Sequence, residues 1–210
     1  MYLIRAPFLL RSFYGKARWN MPQTQPPSVY LTFDDGPHPS VTPQVLEMLR
    51  AYRAKATFFC IGKNVVEYPS IYEAVQADGH AIGNHTHQHL NGWKTQKEDY
   101  IADVRQAALQ INSRLFRPPY GRIRPTQAAQ LRKEGFDLVL WSLLSGDFDV
   151  RITPEQCRDR VIHHLKPGDI VVFHDSQKAA PRMLFALPQV LKHCVEKGWD
   201  MRVLDVLKIH

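Results

Sequence analysis

The sequence predicts an α/β fold, a (β/α) barrel with about seven parallel strands. Three observations carry that expectation. Short apolar stretches alternate with helical patterns from residue 29 onward, the rhythm that builds a parallel sheet backed by helices. Proline and glycine punctuate the alternation at helix starts and stops. The side chains with the most chemistry, Asp34, Asp35, His85, Arg117, Asp147 and His174, each follow a strand pattern, and a barrel gathers its C-terminal strand ends on one rim. A doubly wound open sheet is the alternative, although the chain has neither a GxGxxG fingerprint nor a P-loop to recommend it.

Taken in order, residues 29–33 form the first strand, halted by Gly36 and Pro37. A helix is predicted over 41–54, with Thr42 as N-cap, Pro43 at the first helical position and Val45, Leu46 and Leu49 on its apolar face. The second strand covers 56–60. The next helix covers 64–77, with a potential break at Pro69 and Gly79 beyond its end. A short strand at 80–83 runs into a histidine cluster. The longest helical pattern is 96–114, with Ile101, Val104, Ala108, Leu109 and Ile111 on one side. Residues 115–117 are extended, because Pro118 and Pro119 forbid helix. A helix over 124–134, an apolar strand over 137–143 and a helix opening at Thr153 and running to about residue 165 follow. The buried-strand pattern 169–173, a helix over 182–197 that Pro188 kinks or splits, and a last strand over 202–207 complete the chain.

A chain of 210 residues, 44% hydrophobic and 22% charged, suits one domain with an ordinary core. That domain is expected at 28–210, behind a basic N-terminal arm, 1–27, which holds Arg5, Arg11, Lys16 and Arg18 and no acid. Cys60, Cys157 and Cys194 are far apart and odd in number, which favours buried thiols over disulfides or a cysteine metal site. The net charge of +7 suits an anionic partner or surface, or simply solubility. No Lys/Arg blocks interleave with aromatics, so nucleic acid is not expected as a partner. The apolar run 7–10 is too short for a signal-peptide core, and no run reaches the ~20 residues of a membrane span. A cytoplasmic monomer is the expectation. In the arm, Leu3, Ile4, Phe8, Leu9, Phe13 and Trp19 interleave loosely with basic residues. The arm therefore either packs over the domain or lies on an anionic membrane as a peripheral amphipathic segment.

The chemistry begins at Asp34-Asp35. Neighbours on a strand face opposite ways, so the two acids have different duties, and their repulsion calls for a metal ion or an arginine. In the segment from Asn84 to His89, His85 and His89 are four apart, a spacing that shares one face on a helical turn. Two histidines and a carboxylate make an open metal site, with Asp35 the natural carboxylate and His87 pointing elsewhere. Arg117 opens the stiff segment Arg117-Pro118-Pro119-Tyr120-Gly121. Aimed at Asp34, it would orient that carboxylate, while backbone N–H groups near Tyr120 are placed for an oxyanion. His174, beyond a buried strand, is a candidate general acid, with Asp147 its orienting partner.

Together these segments resemble the polysaccharide deacetylase family, the NodB-homology carbohydrate esterases. TFDDGP is complete at 32–37; H-(S/T)-x-x-H is His85, Thr86 and His89; R-x-P-(Y/F)-G is Arg117, Pro119, Tyr120 and Gly121; the late x-His-Asp motif is Val172, His174 and Asp175. The resemblance implies a distorted (β/α) barrel with fewer than eight strands, one divalent zinc-like ion on Asp35, His85 and His89, and an acetylated glycan as partner. It implies hydrolytic removal of N-acetyl groups from amino sugars, with Asp34 as base, His174 as acid, Arg117 and Asp147 supporting them, and Tyr120, Trp141, Phe148 and Val172 on the substrate and oxyanion side. One motif departs: where the family has D-x-x-D-W, this chain has Leu144, Ser145, Gly146, Asp147 and Phe148, which bears on the acyl pocket and the substrate. An O-acetyl esterase or non-sugar amide hydrolase on the same site is the alternative. An inactive carbohydrate-binding protein is a further one, though it predicts a lost base or ligand and every such position is filled.

Overall fold

Seven successive residues, Ser28–Asp34, are buried without exception, the mark of a strand covered on both faces. This strand, β1, sits near the middle of the sheet in a computed structural model that describes residues 4–5, 14 and 16–205. The other strands are β2 (Ala56–Cys60), β3 (Ala81–Asn84), β4 (Leu115–Phe116), β5 (Asp137–Leu138), β6 (Leu143–Leu144), β7 (Ile170–His174) and β8 (Asp200–Met201). Seven run side by side in the order β5-β4-β3-β2-β1-β7-β6, all parallel, curled into a half-barrel, and β8 pairs with the start of β1. The crossovers are the helices α1 (Thr42–Ala51), α2 (Gly62–Glu67), α3 (Pro69–Ala77), α4 (Lys97–Ala108), α5 (Pro125–Lys133), α6 (Pro154–Ile162) and α7 (Ala180–Glu196).

Alternation along β1 divides its apolar side chains between two buried clusters. Leu31 and Phe33 belong to the layer between sheet and helices, with Val45, Leu49, Leu187 and Val190, and the Phe33 ring stacks on Phe58 at 5.0 Å. Tyr30 turns inward to Phe59, Leu115 and Ile170. Each such buried side chain contributes about 1.5–3 kcal/mol. The same alternation sends Thr32 and Asp34 inward, toward the rim at the C-terminal end of the strand.

Several expected elements change at their ends, each for a tertiary reason. The expected strand 137–143 is two short strands, because the backbone between them is spent elsewhere: Arg117 donates to the carbonyls of Val139 and Leu140, and the Leu140 N–H donates to the Arg18 carbonyl. The helix expected over 96–114 ends at Ala108 in a turn; Leu109, expected on the apolar face, is exposed, whereas Ile111 is buried. Thr42 does not cap α1; its hydroxyl donates to Asp175 Oδ2 at 2.5 Å, and the N-cap position is Val41. The helix expected over 64–77 does break at Pro69, giving α2 and α3, while α7 runs unbroken through Pro188. The last strand lies at 200–201 rather than 202–207, tied to β1 by Asp200 N–H to the Pro27 carbonyl and Arg202 N–H to the Val29 carbonyl; residues 206–207 lie outside the described ones.

The described part of the basic arm bridges the two ends of the sheet. Arg18 bridges to Val139 beyond β5, and Arg5 to Leu143 in β6. Arg18 pairs with Asp137, and Arg5 with both oxygens of Asp169. Trp19 is buried and Ile4 packs on the core; Leu3, Phe8, Leu9 and Phe13 lie outside the described residues. No helix among the described residues is long and apolar enough to cross a membrane.

Candidate active site

At the end of β1 the backbone changes hand. Asp35 has φ 79°, and the chain turns through Gly36, where a Cβ would lie 2.1 Å from Asp175 Oδ2, so only glycine fits. This turn parts the two acids. Asp34 stays on the inner face, where the buried Arg117 guanidinium donates to its Oδ1 at 2.7 Å, to Thr32 Oγ1 at 2.7 Å and to the Leu140 carbonyl at 3.1 Å. Arg117 also lies over the Phe59 ring, 4.0 Å from its centroid. Asp35 instead reaches the rim, its Oδ1 3.1 Å from His89 Nε2 and 3.7 Å from His85 Nε2.

The two histidines share a face, but not on a helical turn as their spacing suggests. The segment after β3 is an irregular loop with φ 66° at Thr86 and 58° at His89. It is pinned by side chains: Asn84 Oδ1 accepts from Thr86 N–H, Thr86 Oγ1 from Leu90 N–H, and the buried Asp103 Oδ2 accepts from both His87 and Gln88 N–H at 2.7 and 3.1 Å. His87 lies against Gly62, away from the other two. With Tyr120 at φ 61°, four of the five non-glycine residues with positive φ among the described residues belong to this site. Such backbone persists where surrounding structure over-determines it.

These groups fit a divalent cation. One donor atom each from Asp35, His85 and His89 lies within 4.8 Å of the others. His85 Nδ1 faces the Arg117 carbonyl at 2.8 Å and must donate to it, which leaves Nε2 as a lone pair directed at the cluster, the arrangement of a metal-binding imidazole. Burial is the largest influence on His85 and outweighs the attraction of Asp34, holding the ring neutral with its pKa down to about 4. Burial alone would raise Asp35, but its hydrogen bond to His89 and the charges of His174 and His85 hold it well below the usual carboxylate range.

Across the cleft, His174 is built for the opposite state. Its Nδ1 donates to Asp147 Oδ1 at 2.7 Å, and its backbone N–H donates to Asp147 Oδ2 at 2.7 Å. Asp147 is fully buried, and its carbonyl accepts from Arg182 Nε at 2.6 Å. Burial opposes the imidazolium, yet the charge and hydrogen bond of Asp147, with Asp35 and Asp34 adding, raise the His174 pKa to about 10. The Phe148 ring meets the His174 ring edge-on, centroids 5.3 Å apart.

Asp34, Asp35, His85, His89, Tyr120, Trp141, Phe148, Val172 and His174 line one cleft of about 470 Å³. Arg117 and Asp147 do not line it; they lie beneath and hold Asp34 and His174. The Tyr120 ring packs 4.7 Å from that of His89, and Trp141 closes over Gly121, whose φ of 65° and tight approach leave no room for a Cβ. Sequence reasoning missed Asp103, Arg182 and the Thr42–Asp175 hydrogen bond under the Asp35 turn, and also Arg122, Ser176 and Lys178 on the cleft wall. Nothing in their spacing marks them.

The family model for polysaccharide deacetylase matches residues 22–139. A peptidoglycan-N-acetylglucosamine deacetylase of Bacillus cereus is 34% identical over 191 residues, 88% of this chain and 89% of that protein. A chitooligosaccharide deacetylase of Azorhizobium caulinodans is 41% identical over 156 residues, 70% of this chain and 73% of that protein. Among solved structures, a peptidoglycan N-acetylglucosamine deacetylase superposes with a TM-score of 0.83 at 27% identity, covering 95% of each chain.

Proposed function

The chain belongs to the polysaccharide deacetylase family, hydrolases of amide bonds, and from that premise we propose that it removes N-acetyl groups from N-acetylglucosamine residues of a chitooligosaccharide or a peptidoglycan strand. The relatives act on those two polymers, and one observation carries the reading here. The adjacent acids of β1 are separated into an arginine-held carboxylate and a cation-binding one, with a protonated histidine facing both across the cleft.

The donor set of two imidazoles and one carboxylate suits zinc. Held by Asp35, His85 and His89, the ion would supply Lewis acidity, acidifying a water and polarising the acetyl carbonyl. The residues of the chain do the rest. Asp34, its Oδ1 taken up by Arg117, offers its other oxygen to the proton of the attacking water. The Tyr120 backbone N–H, at the cleft wall, donates to the oxygen on which negative charge develops. His174, protonated and oriented by Asp147, gives its Nε2 proton to the departing amine, so that the amino sugar leaves neutral and acetate is the second product. Trp141, Phe148 and Val172 surround the acetyl group, with Leu144 beside them.

Defined N-acetylated and O-acetylated saccharides test the reaction. Acetate release with an equimolar free amine from the N-acetyl sugar supports amide hydrolysis. Release confined to O-acetyl sugars would convert the protein into an esterase. Asp34→Asn should keep the metal and lose a factor on the order of 100 or more in turnover.

A further inference from the structure

The cleft carries a charge pattern that the deacetylation chemistry does not use. Its two acids are both committed, Asp34 to Arg117 and Asp35 to His85 and His89. Two exposed cations on its wall, Arg122 and Lys178, make no ion pair among the described residues. They stand on opposite flanks. Arg122 follows β4 and Lys178 follows β7, and the sheet order places β3, β2 and β1, with all the cation-binding residues, between them. Leu144, where the family pattern has an acid, adds an apolar side chain to the same cleft. On the Lys178 flank Asp149 is engaged through both oxygens by Arg151. On the other flank the Arg122 guanidinium rests over the ring of Trp93, 5.1 Å from its centroid, and Trp93 is half exposed. That pairs a fixed cation with an aromatic surface of the kind that receives a sugar face.

From this we infer that the cleft selects saccharides in which the units on either side of the acetamido sugar carry an anionic substituent, a carboxylate or a phosphate. The inference rests on the deacetylase reading for which sugar sits at the centre, and it adds Arg122 and Lys178 as specificity-determining residues. An anion on the preceding or following unit meets a cation that makes no ion pair among the described residues. A neutral chain meets the same cations with nothing to offset them.

Calorimetric titration of the metal-loaded full chain tests this with three N-acetylated oligosaccharides of equal length. One is a neutral chitooligosaccharide, one alternates N-acetylglucosamine with a uronic acid, and one carries phosphate. An anionic ligand is expected to bind about tenfold tighter than the neutral one at low ionic strength, from two exposed pairs worth about threefold each. The gap should close as salt shortens the screening length. Whichever anion shows the preference identifies the substituent. Arg122→Gln and Lys178→Gln should each remove about threefold of it, and the double variant all of it. Equal affinity for neutral and both anionic ligands, or a preference that survives the double variant, overturns the inference. Acetate assayed on the same three ligands separates the two claims. Anion-selective binding without acetate release refutes the deacetylase reading alone, and equal kcat/KM on all three with equal binding refutes the selectivity alone.

Discussion

His85 and His174 face each other across one cleft, both next to aspartates, and are tuned in opposite directions. His85 is pushed down to about 4 and His174 raised to about 10. The difference lies in what each Nδ1 meets. For His85 it is the neutral carbonyl of Arg117, so burial wins and the ring stays a lone-pair donor. For His174 it is the ionised, fully buried Asp147, which also accepts the His174 backbone N–H, so charge wins over burial. One residue type thus presents a neutral ring with a free Nε2 lone pair on one side and a protonated ring on the other, and the choice is made one layer below the cleft.

Removing each ring in turn separates the two histidines. His85→Ala and His174→Ala should both lower turnover by a factor on the order of 100 or more, but only His85→Ala should lower metal content by elemental analysis. Equal metal loss in the two variants would mean that the division of labour is wrong.

Asp147→Asn sharpens it. The His174 ring, followed by NMR in metal-free protein, should titrate near 10 in the parent and fall toward about 6.5 in the variant. The alkaline limb of kcat/KM should move to lower pH with it. A cation bound at Asp35, being positive and close, draws the parent limb below its metal-free position. Stability follows the same sign. The folded pKa is raised, so the pair's contribution is fully present below about pH 6.5 and is lost as pH rises through 10. Chemical denaturation at pH 6 and pH 10 should therefore show a larger alkaline loss in the parent than in Asp147→Asn.

The smallest effect belongs to the loop that carries the metal side. Asp103→Ala leaves the N–H groups of His87 and Gln88 without their buried acceptor. It should cost about 1–3 kcal/mol in denaturant and weaken metal affinity about tenfold. The His174 titration should not move, and a shift there would couple two sides that the geometry keeps apart.

Much of this was legible in the sequence because strand ends and chemistry coincide. Asp34-Asp35, the histidine loop, Arg117 and His174 each close a strand, and a parallel sheet brings such ends together whatever lies between them. What was not legible depends on partners distant in the chain. Thr42 reads as a helix cap, and its hydroxyl goes instead to Asp175. Residues 137–143 read as one strand, yet Arg117 and the arm at Arg18 take up its middle backbone. The spacing of His85 and His89 suggested a helical turn, whereas two positive φ angles and Asp103 achieve the same convergence in a loop. Spacing pointed to the donors that converge at Asp35, His85 and His89 and misread the backbone that delivers them.

We propose that a cation held by Asp35, His85 and His89, together with Asp34 and His174, drives amide hydrolysis. The most direct test is acetate release from an N-acetylchitooligosaccharide by protein stripped with a chelator, dialysed, and titrated with zinc. Activity should be absent in the stripped protein and return in proportion to zinc, levelling at one equivalent per chain. Undiminished acetate release from protein shown to be metal-free would contradict the account.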